Sequence, residues 1–490
     1  MCGFIGIIGT DPVAPALYLA LQALQHRGQD AAGIGTRHDG RFHLHKDLGL
    51  ISQAIPPEIL PRLPGRAGIA HVRYPTAGVG IGDREDAQPF VTRSPGIVLA
   101  HNGNVTNMRE LESTLRASGH HVLSGCDAEP ILLVLAHELT AMRPAGHTLE
   151  DVHIAVGRLM KCVKGSYSVA AVLEIDGQET LLCFRDPHGI RPGVYGRNAA
   201  GAWMVASESV ALDVLDYTIV DHIPPGAMVL LRRGDAPIVR AVDPKPPRPC
   251  MFERIYFARP DSILEDGRVA ATRWALGERL AERVVARGIE ADVVVAVPDT
   301  SRDAAQAMAE RLGKPNREGF IKNRYSGRTF IMPNQATREA ALRLKLNPIR
   351  EVFAGKRVIL VDDSIVRGST VRRLLEMVRA LGPTEIHVAI FSPPVRHPCF
   401  YGIDMPSHEE LVASSYAPDV LEEALARALG IASLTFLPLE ALTAHAGPGA
   451  CTACFSGEYV IPVTDDERAY ILANRNTGPP SHKAAPAPVQ

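Results

Sequence analysis

The chain has 490 residues, of which 46% are hydrophobic and 22% are charged, and its formal net charge is −2. At roughly 150 residues per domain this length allows about two to four domains, and the composition is typical of globular proteins. The nearly neutral charge gives no reason to expect nucleic acid or an anionic membrane as a partner.

The sequence also lacks the marks of a secreted or membrane protein. No apolar run approaches the ~18 residues of a membrane span, and no basic region precedes the apolar N-terminal stretch. We therefore expect a cytoplasmic protein, in which cysteines stay reduced. Its eight cysteines are then expected to be core thiols, metal ligands or nucleophiles, and not disulfides.

The chain begins with Met1-Cys2 directly before an apolar stretch that predicts a strand. A small second residue normally permits removal of the initiator methionine, which would leave Cys2 with a thiol and a free α-amine on one carbon. An α-amine titrates near pH ~8 and can act as the base for its own thiol. For Cys2 taken alone, a buried cysteine near the start of a strand is the simpler interpretation.

Six further segments follow in a characteristic order. They lie at residues 24–34, 69–78, 99–104, 124–129, 165–168 and 185–192. Together with Cys2 they resemble the glutaminase domain of the N-terminal-nucleophile amidotransferases. The resemblance implies an α+β four-layer αββα sandwich over residues 2–242.

Glutamine hydrolysis is an acyl transfer, which needs a nucleophile, an oxyanion hole and a clamp for the amino-acid end of the substrate. The resemblance implies that Cys2 is the nucleophile and that the Asn102 side chain and the Gly103 N–H hold the oxyanion. It assigns Arg73 to the glutamine α-carboxylate and Asp127 to the α-ammonium. Each residue alone has a simpler interpretation, such as a surface ion pair for Arg73 or Asp127 and a hairpin turn for Asn102-Gly103.

Two residues depart from that family's pattern. Pro75 stands where the family commonly has serine, and Cys126 is unusual beside Asp127. Neither departure removes a predicted catalytic group. We interpret Cys126, together with Cys162 and Cys183, as core thiols.

A proline-rich stretch at residues 243–249 is unsuited to a helix or a central strand and predicts a domain boundary. Beyond it, apolar strands alternate with amphipathic helices, which predicts an α/β domain with a parallel sheet over residues 250–460. In such sheets, ligands bind at the carboxyl ends of the strands. Thr300 and the Asp362-Asp363 pair follow two of these predicted strands.

Residues 358–370 read as a buried strand, two carboxylates, a short loop and the start of a helix. Loop N–H groups and a helix N-terminus suit a phosphate, and the carboxylates suit ribose hydroxyls or Mg²⁺. The loop lacks the Lys-Ser/Thr ending of a Walker loop. It resembles the 5-phosphoribosyl 1-diphosphate (PRPP) loop of type I phosphoribosyltransferases.

That resemblance implies ligands for PRPP and Mg²⁺. Asp362 and Asp363 would bind the ribose hydroxyls and the metal, and Thr300 would supply a further oxygen. The segment at 322–331 resembles a flap that closes over the diphosphate, with Lys322 and Arg328 as charge partners. The 5-phosphate would be held by Ser364, Arg367, Gly368, Ser369 and Thr370.

The remaining cysteines include a Cys451-x-x-Cys454 pair. With two distant cysteines, such a pair can hold zinc or an iron–sulfur cluster, and unligated thiols are a third possibility. Spacing alone does not choose among them.

Taken together, the two halves resemble the amidophosphoribosyltransferases, and more closely the subgroup that carries a structural 4Fe–4S cluster. This resemblance implies Cys250, Cys399, Cys451 and Cys454 as the cluster ligands. It also implies glutamine and PRPP as substrates, phosphoribosylamine as product, purine nucleotides as feedback inhibitors and a homotetramer. The Pro/Ala-rich residues 477–490 are predicted to be a disordered tail.

Two alternatives remain at this point. Another amidotransferase, such as a sugar-phosphate aminotransferase, would not need the loop at 358–370. A PRPP-sensing regulatory protein would not need Cys2, Arg73, Asn102 and Asp127 together.

Overall fold

A computed structural model describes residues 2–10, 12–74, 83–323, 346–447 and 449–475. Pro75, the predicted flap from residue 324 onward with its Arg328, and the predicted tail at 477–490 lie outside the described residues.

The first half of the chain forms two antiparallel sheets. Its strands are β1 (Gly3–Ile8), β2 (Ala31–His38), β3 (Arg41–Leu48), β4 (Ala67–Arg73), β5 (Phe90–Arg93), β6 (Gly96–Val105), β7 (Gly165–Ile175), β8 (Gln178–Arg185), β9 (Val194–Arg197), β10 (Trp203–Ala206), β11 (Thr218–His222), β12 (Ala227–Leu231) and β13 (Ile238–Ala241). As described, one sheet has the order β11-β9-β10-β1-β4-β2-β3 and the other β13-β12-β8-β7-β6-β5.

Helices cover the outer face of each sheet. They are α1 (Ala14–Ala23), α2 (Ile51–Ala54), α3 (Met108–Ala117), α4 (Ala128–Met142), α5 (Leu149–Cys162) and α6 (Val210–Asp213). The residues of β1 show the layering, because successive side chains of a strand point to opposite faces. Phe4 and Ile8 lie in the core between the sheets, whereas Ile5 and Ile7 pack with residues of α1, α2 and α6. The predicted αββα sandwich is confirmed.

The second half contains a parallel sheet with order β16-β19-β20-β21 in the described residues. The strands of the second half are β14 (Ile263–Leu264), β15 (Gly267–Arg268), β16 (Val293–Ala296), β17 (Phe320–Lys322), β18 (Leu346–Pro348), β19 (Arg357–Asp362), β20 (Glu385–Ile390) and β21 (Ser433–Phe436). Its helices are α7 (Val269–Ala286), α8 (Arg302–Leu312), α9 (Arg350–Phe353), α10 (Ser369–Arg379), α11 (Leu421–Leu429), α12 (Leu439–Ala446), α13 (Ala453–Ser456) and α14 (Asp465–Arg475).

Strand β19 is buried on both faces, as expected for a parallel sheet covered by helices. Val358 and Leu360 pack in one core, and Ile359 and Val361 pack in the core on the other side. The strand then ends at the carboxylates of the predicted PRPP loop. The predicted parallel α/β domain is confirmed.

The two halves contact each other closely beside β6. Asn104 Nδ2 donates to the Phe400 carbonyl at 3.0 Å, and Ser166 Oγ donates to the Tyr401 carbonyl at 2.7 Å. Gly402 has φ +100°, and a Cβ there would lie 2.9 Å from the Gly103 carbonyl oxygen. Glycine therefore permits this close approach.

Two observations complete the fold. Within the part of the chain that the structure describes, no helix is long and apolar enough to cross a membrane. The prediction that Cys162 is a core thiol is wrong, because it is exposed as the last residue of α5. Cys126 and Cys183 are buried as expected.

Candidate active sites

Cys2 lies immediately before β1 and is buried. Its thiol is 3.6 Å from the Tyr74 carbonyl oxygen, to which it donates. Burial raises the pKa of this thiol, while Arg73 lowers it and Asp127 raises it. Both charged side chains therefore lie within electrostatic range of the sulfur.

Asn102 lies on the neighbouring sheet, next to Cys2. The Cys2 backbone N–H donates to Asn102 Oδ1 at 3.3 Å. Asn102 Nδ2 is buried and has no hydrogen-bond partner among the described residues. An unsatisfied buried donor is costly, so this N–H group is available to an oxyanion formed at the thiol.

Gly103 follows Asn102 on β6, where it pairs with Tyr167 of β7. A Cβ at Gly103 would lie 2.0 Å from the Ser166 carbonyl oxygen. No larger residue fits between these strands without moving them. The predicted oxyanion pair therefore lies on a closely packed part of the sheet.

Arg73, the last residue of β4, is buried. Its Nη2 lies 3.4 Å from Asp86 Oδ2. Its Nη1 is buried without a hydrogen-bond partner in the residues that the structure describes. One edge of the guanidinium is thus held by the protein, and the other can bind a carboxylate.

Asp127 is the N-cap residue of α4 and faces the same region. Its Oδ2 is 3.2 Å from His101 Nε2 and accepts the Val105 N–H at 2.9 Å. Burial alone would raise the pKa of this carboxyl, but His101 and these hydrogen bonds lower it. An ionised Asp127 suits an ammonium group.

Several residues around this site carried no assignment from the sequence. They are Arg27, Asp86, Gln88, His101, Glu208 and Glu253. Arg27 and His101 lie in the 24–34 and 99–104 segments, which gave the only available signal. The others depend on contacts between distant parts of the chain, which the sequence pattern did not indicate.

A second constellation lies at the carboxyl ends of β16 and β19, which are parallel neighbours. Thr300 Oγ1 donates to Asp363 Oδ2. Ser364 Oγ donates to Asp363 Oδ1 at 2.6 Å, and the Asp363 N–H donates to Asp362 Oδ1 at 2.9 Å. The structure thus brings together the three residues predicted for ribose and Mg²⁺.

Burial raises the pKa values of Asp362 and Asp363, and the like charge of Asp363 raises that of Asp362 further. A divalent cation would relieve both effects. Among the described residues, no group of three or more His, Cys, Asp or Glu side chains could hold a metal ion. Mg²⁺ commonly uses one or two carboxylates together with water and substrate phosphates, so this pair is compatible with it.

The predicted phosphate loop connects β19 to α10. Gly368 is the N-cap residue of α10 at φ +77°, and the first turn, which includes Ser369 and Thr370, contains no acidic residue. This helix N-terminus suits an anion. Arg367 Nε lies 2.8 Å from Glu410 Oε2, and both side chains are exposed.

Lys322 is the only predicted flap cation within the described residues. Its Nζ lies 2.5 Å from Asp299 Oδ2, in an exposed pair. Arg328 lies outside the part of the chain that the structure describes.

The four predicted cluster cysteines come from three segments and are all buried. Cys250 and Cys451 form a parallel backbone bridge. The Tyr401 N–H donates to Cys399 Sγ at 3.3 Å. Burial raises the pKa of the Cys454 thiol, and Cys399, Cys250 and Cys451 raise it further, so the four lie within electrostatic range of one another.

A buried cation lies beside these cysteines. Burial lowers the pKa of Arg191, but Cys250, Cys399 and Cys451 act with Glu253 to raise it overall. Four thiolates are the number and type of ligands that iron–sulfur clusters use, and each would bind a different iron atom, so the four would not need to converge on one ion. Arg191 would offset part of the cluster's negative charge.

Comparison with known proteins defines the class of both halves. A glutamine amidotransferase domain matches residues 76–214, and a phosphoribosyl transferase domain matches residues 271–397. The chain is therefore a glutamine amidotransferase joined to a phosphoribosyltransferase.

Relatives over nearly the full length give the family. An amidophosphoribosyltransferase of Pseudomonas aeruginosa is 43% identical over 485 residues, covering 96% of this chain and 95% of the relative. That of Methanothermobacter thermautotrophicus is 40% identical over 477 residues, covering 96% of each. The chain belongs to the amidophosphoribosyltransferase family.

Solved structures agree. The glutamine PRPP amidotransferase from B. subtilis, complexed with ADP and GMP, is 38% identical with a TM-score of 0.83, covering 95% of this chain and 98% of that one. A structure of the allosteric regulatory enzyme of purine biosynthesis has a TM-score of 0.85 at 38% identity, covering 96% of this chain and 99% of that one. The enzyme transfers glutamine-derived ammonia to C1 of PRPP, giving phosphoribosylamine, glutamate and diphosphate in the first step of de novo purine nucleotide synthesis.

Proposed function

We propose that this reaction is divided between a glutaminase domain at residues 2–242 and a phosphoribosyltransferase domain at residues 250–460. The main observation in its support concerns Asn102, which lies beside Cys2. Its Nδ2 is buried and has no hydrogen-bond partner among the described residues. A donor in that position stabilises negative charge that develops only during the reaction.

In the first site, the Cys2 thiol loses its proton to the α-amine that removal of Met1 exposes. The thiolate attacks the side-chain amide carbon of glutamine, and the carbonyl oxygen becomes an oxyanion held by Asn102 Nδ2 and the Gly103 N–H. Collapse expels ammonia, which takes the proton from the amine. Water then cleaves the thioester and releases glutamate. Arg73 and Asp127 bind the α-carboxylate and α-ammonium throughout.

In the second site, the ammonia nitrogen forms a bond to C1 of PRPP as the bond to diphosphate breaks. Asp362 and Asp363 bind the ribose hydroxyls, with Thr300 fixing Asp363. The loop of Ser364, Arg367, Gly368, Ser369 and Thr370 holds the 5-phosphate at the start of α10. Lys322 and Arg328 pair with the diphosphate.

Mg²⁺, held by Asp362, Asp363 and Thr300, would neutralise charge on the departing diphosphate. The two carboxylates supply hard oxygen ligands, which this ion prefers. Their raised pKa values support the proposal, because a cation next to them stabilises the ionised forms.

We also propose a structural 4Fe–4S cluster on Cys250, Cys399, Cys451 and Cys454. When bound, it would cross-link the segment after the domain boundary to the end of the chain. Their common burial and the adjacent Arg191 support this ligand set. Iron and acid-labile sulfide measured on anaerobically purified protein test it, and zinc in place of iron would contradict it.

The remaining proposals rest on the family. Purine nucleotides are proposed as feedback inhibitors, supported by the ADP and GMP bound to the B. subtilis relative. A homotetramer is proposed from the same resemblance, and a cytoplasmic location is proposed from the composition of the sequence. Light scattering tests the tetramer, and inhibition of PRPP turnover by added GMP and ADP tests the nucleotides.

One assay tests the coupling of the two sites. Purified protein is given glutamine, PRPP and Mg²⁺, and glutamate and diphosphate are followed together. We expect equal amounts of both products, with glutamate release strongly dependent on PRPP. Glutamate release that does not respond to PRPP would point to a different acceptor.

A further inference from the structure

The segment that contains Asp86 and Gln88 lies behind the candidate glutamine site. Although it precedes β5 as an irregular loop, both side chains are buried, with 3% and 1% of their surface exposed. Polar side chains so deeply buried need partners. Through these partners they are connected to Arg73 and Asp127, the residues proposed to hold the two ends of the substrate.

Asp86 links the carboxylate end to the loop before α4. Its Oδ2 lies 3.4 Å from Arg73 Nη2, and its Oδ1 accepts the Gly125 N–H at 2.8 Å. Gly125 is two residues before Asp127 in the chain. One carboxylate thus contacts the proposed α-carboxylate ligand and the loop that carries the proposed α-ammonium ligand.

Gln88 reaches Asp127 through His101. Gln88 Oε1 accepts the His101 backbone N–H at 2.8 Å, and Gln88 Nε2 lies 3.3 Å from His101 Nδ1. Because an amide nitrogen only donates, His101 Nδ1 must accept and Nε2 must carry the proton. Nε2 then donates to Asp127 Oδ2 across 3.2 Å.

A second route from Gln88 to Asp127 runs through Cys126. Gln88 Nε2 lies 3.6 Å from Cys126 Sγ, and Cys126 Sγ lies 3.9 Å from Asp127 Oδ1. The amide therefore uses both of its N–H groups, and both oxygens of Asp127 receive a donor that Gln88 has fixed. Cys126 is thus buried as expected, and it also contacts residues of the candidate glutamine site.

The backbone of the segment is itself fixed. Lys46 Nζ donates to the carbonyls of Glu85 and Ala87, at 3.0 and 2.5 Å. A Cβ at Gly33 of β2 would lie 2.3 Å from the Gln88 carbonyl oxygen, so the segment packs directly against that strand. Because the loop is anchored at these points, Asp86 and Gln88 can hold Arg73 and His101 in fixed positions.

We propose that Asp86 and Gln88 are positioning residues that set the distance and orientation between Arg73 and Asp127. They thereby select substrates that carry both an α-carboxylate and an α-ammonium group. Asp86 acts on both ends, whereas Gln88 acts on the ammonium end alone. This inference rests on the proposed roles of Arg73 and Asp127.

The test compares Asp86→Asn and Gln88→Glu, which keep the shape of each side chain. Asp86→Asn removes the charge that holds Arg73. Gln88→Glu replaces a donor with an acceptor, so His101 must carry a proton on Nδ1. Asp127 then either loses the hydrogen bond from His101 Nε2 or faces an imidazolium cation that neutralises its charge. Glu85→Gln is the matched control, because its side chain is exposed and its hydrogen bond to Lys46 is made by the backbone carbonyl.

Each variant is assayed with glutamine, with its α-methyl ester and with the analogue that lacks the α-amino group. We expect both variants to raise KM for glutamine about tenfold or more, as misplacement of a charged clamp does, with a smaller change in kcat. Asp86→Asn reduces the preference for glutamine over both analogues. Gln88→Glu reduces only the preference over the des-amino analogue.

Ammonia-dependent synthesis of phosphoribosylamine is expected to stay at the wild-type level in all three variants. The inference is overturned if Asp86→Asn and Gln88→Glu leave KM and both preferences unchanged, or if ammonia-dependent and glutamine-dependent synthesis fall together. If the wild-type protein fails to hydrolyse glutamine, the proposed function itself fails. If the wild-type protein hydrolyses glutamine and the two variants do so equally well, only the positioning role is refuted.

Discussion

The backbone carbonyl of Cys2 accepts a hydrogen bond from Arg27 Nε at 2.9 Å. The same guanidinium pairs with Glu208 and, across the domain boundary, with Glu253 at 2.6 Å. Glu253 also binds Arg191 at 3.1 Å, and all four side chains are buried. The residue that carries the nucleophile is therefore held by a charge network that joins both halves of the chain.

Glu253→Gln tests how much this network contributes. Removing one partner leaves Arg27 and Arg191 undercompensated in the interior, which costs about 3–5 kcal/mol for buried pairs. We expect a lower free energy of unfolding by this amount and a lower kcat for glutamine. Denaturant unfolding measures the first effect, with the exposed Glu58→Gln as control. An unchanged midpoint would show that the network does not stabilise the fold.

Asn102→Ala tests the oxyanion donor. Loss of one such donor typically lowers kcat by about 100- to 1000-fold while KM changes little, because the bond forms only in the transition state. Single-turnover release of glutamate measures the step. Ammonia-dependent synthesis serves as the internal control. A drop of less than about threefold would assign the oxyanion to other donors.

Glu265 gives a prediction for the pH dependence of stability. Burial opposes its ionisation, but Arg185 at 2.5 Å and Arg254 at 3.5 Å lower its pKa to about 2. A carboxyl whose pKa is depressed on folding stabilises the protein above its unfolded pKa and loses that contribution as the pH falls toward the folded value.

Because the Glu265 side chain is partly exposed, solvent screens these ion pairs, and we expect Glu265→Gln to reduce the free energy of unfolding near neutral pH by roughly 1–2 kcal/mol. The difference in the free energy of unfolding between variant and wild type should shrink as the pH is lowered below about 4.5 toward about 2. Thermal unfolding at a series of pH values measures it. A difference that is constant across this range would contradict the linkage.

Cys451→Ser tests the proposed cluster. Losing one of four thiolates should strongly reduce the iron and sulfide content and lower the thermal stability, because the cross-link between chain segments is lost. Cys162→Ser is the control, since that thiol is exposed at the end of α5. Equal iron content in both variants would exclude Cys451 as a ligand.

The sequence was sufficient for relationships that follow from regular geometry. Parallel strands bring their carboxyl ends to one edge, so Thr300 and Asp363 meet although 63 positions separate them. Four apolar residues of α10 recur at helical spacing in the sequence, and the structure buries all of them, Val371, Leu374, Leu375 and Val378.

The sequence was insufficient where irregular segments pack on distant strands. Asp86 and Gln88 belong to a loop whose path is determined by Lys46 and Gly33, so their link to Arg73 and His101 has no periodic signal. Cys162 was assigned to the core from its residue type, but its position at the end of a helix exposes it. The grouping of Cys250 with Cys451 was expected from the family resemblance alone, because no periodic pattern indicates that the segment after the domain boundary pairs with one near the end of the chain.

The most direct test of the central claim is a reciprocal measurement on Cys2→Ala and Asp363→Asn, following glutamate and diphosphate in each. Two separate sites predict that Cys2→Ala releases no glutamate but still forms diphosphate from PRPP when ammonia is supplied. Asp363→Asn should hydrolyse glutamine at a basal rate and release no diphosphate from either nitrogen source. Glutamate release by Cys2→Ala, or failure of ammonia to restore its diphosphate release, would contradict the account.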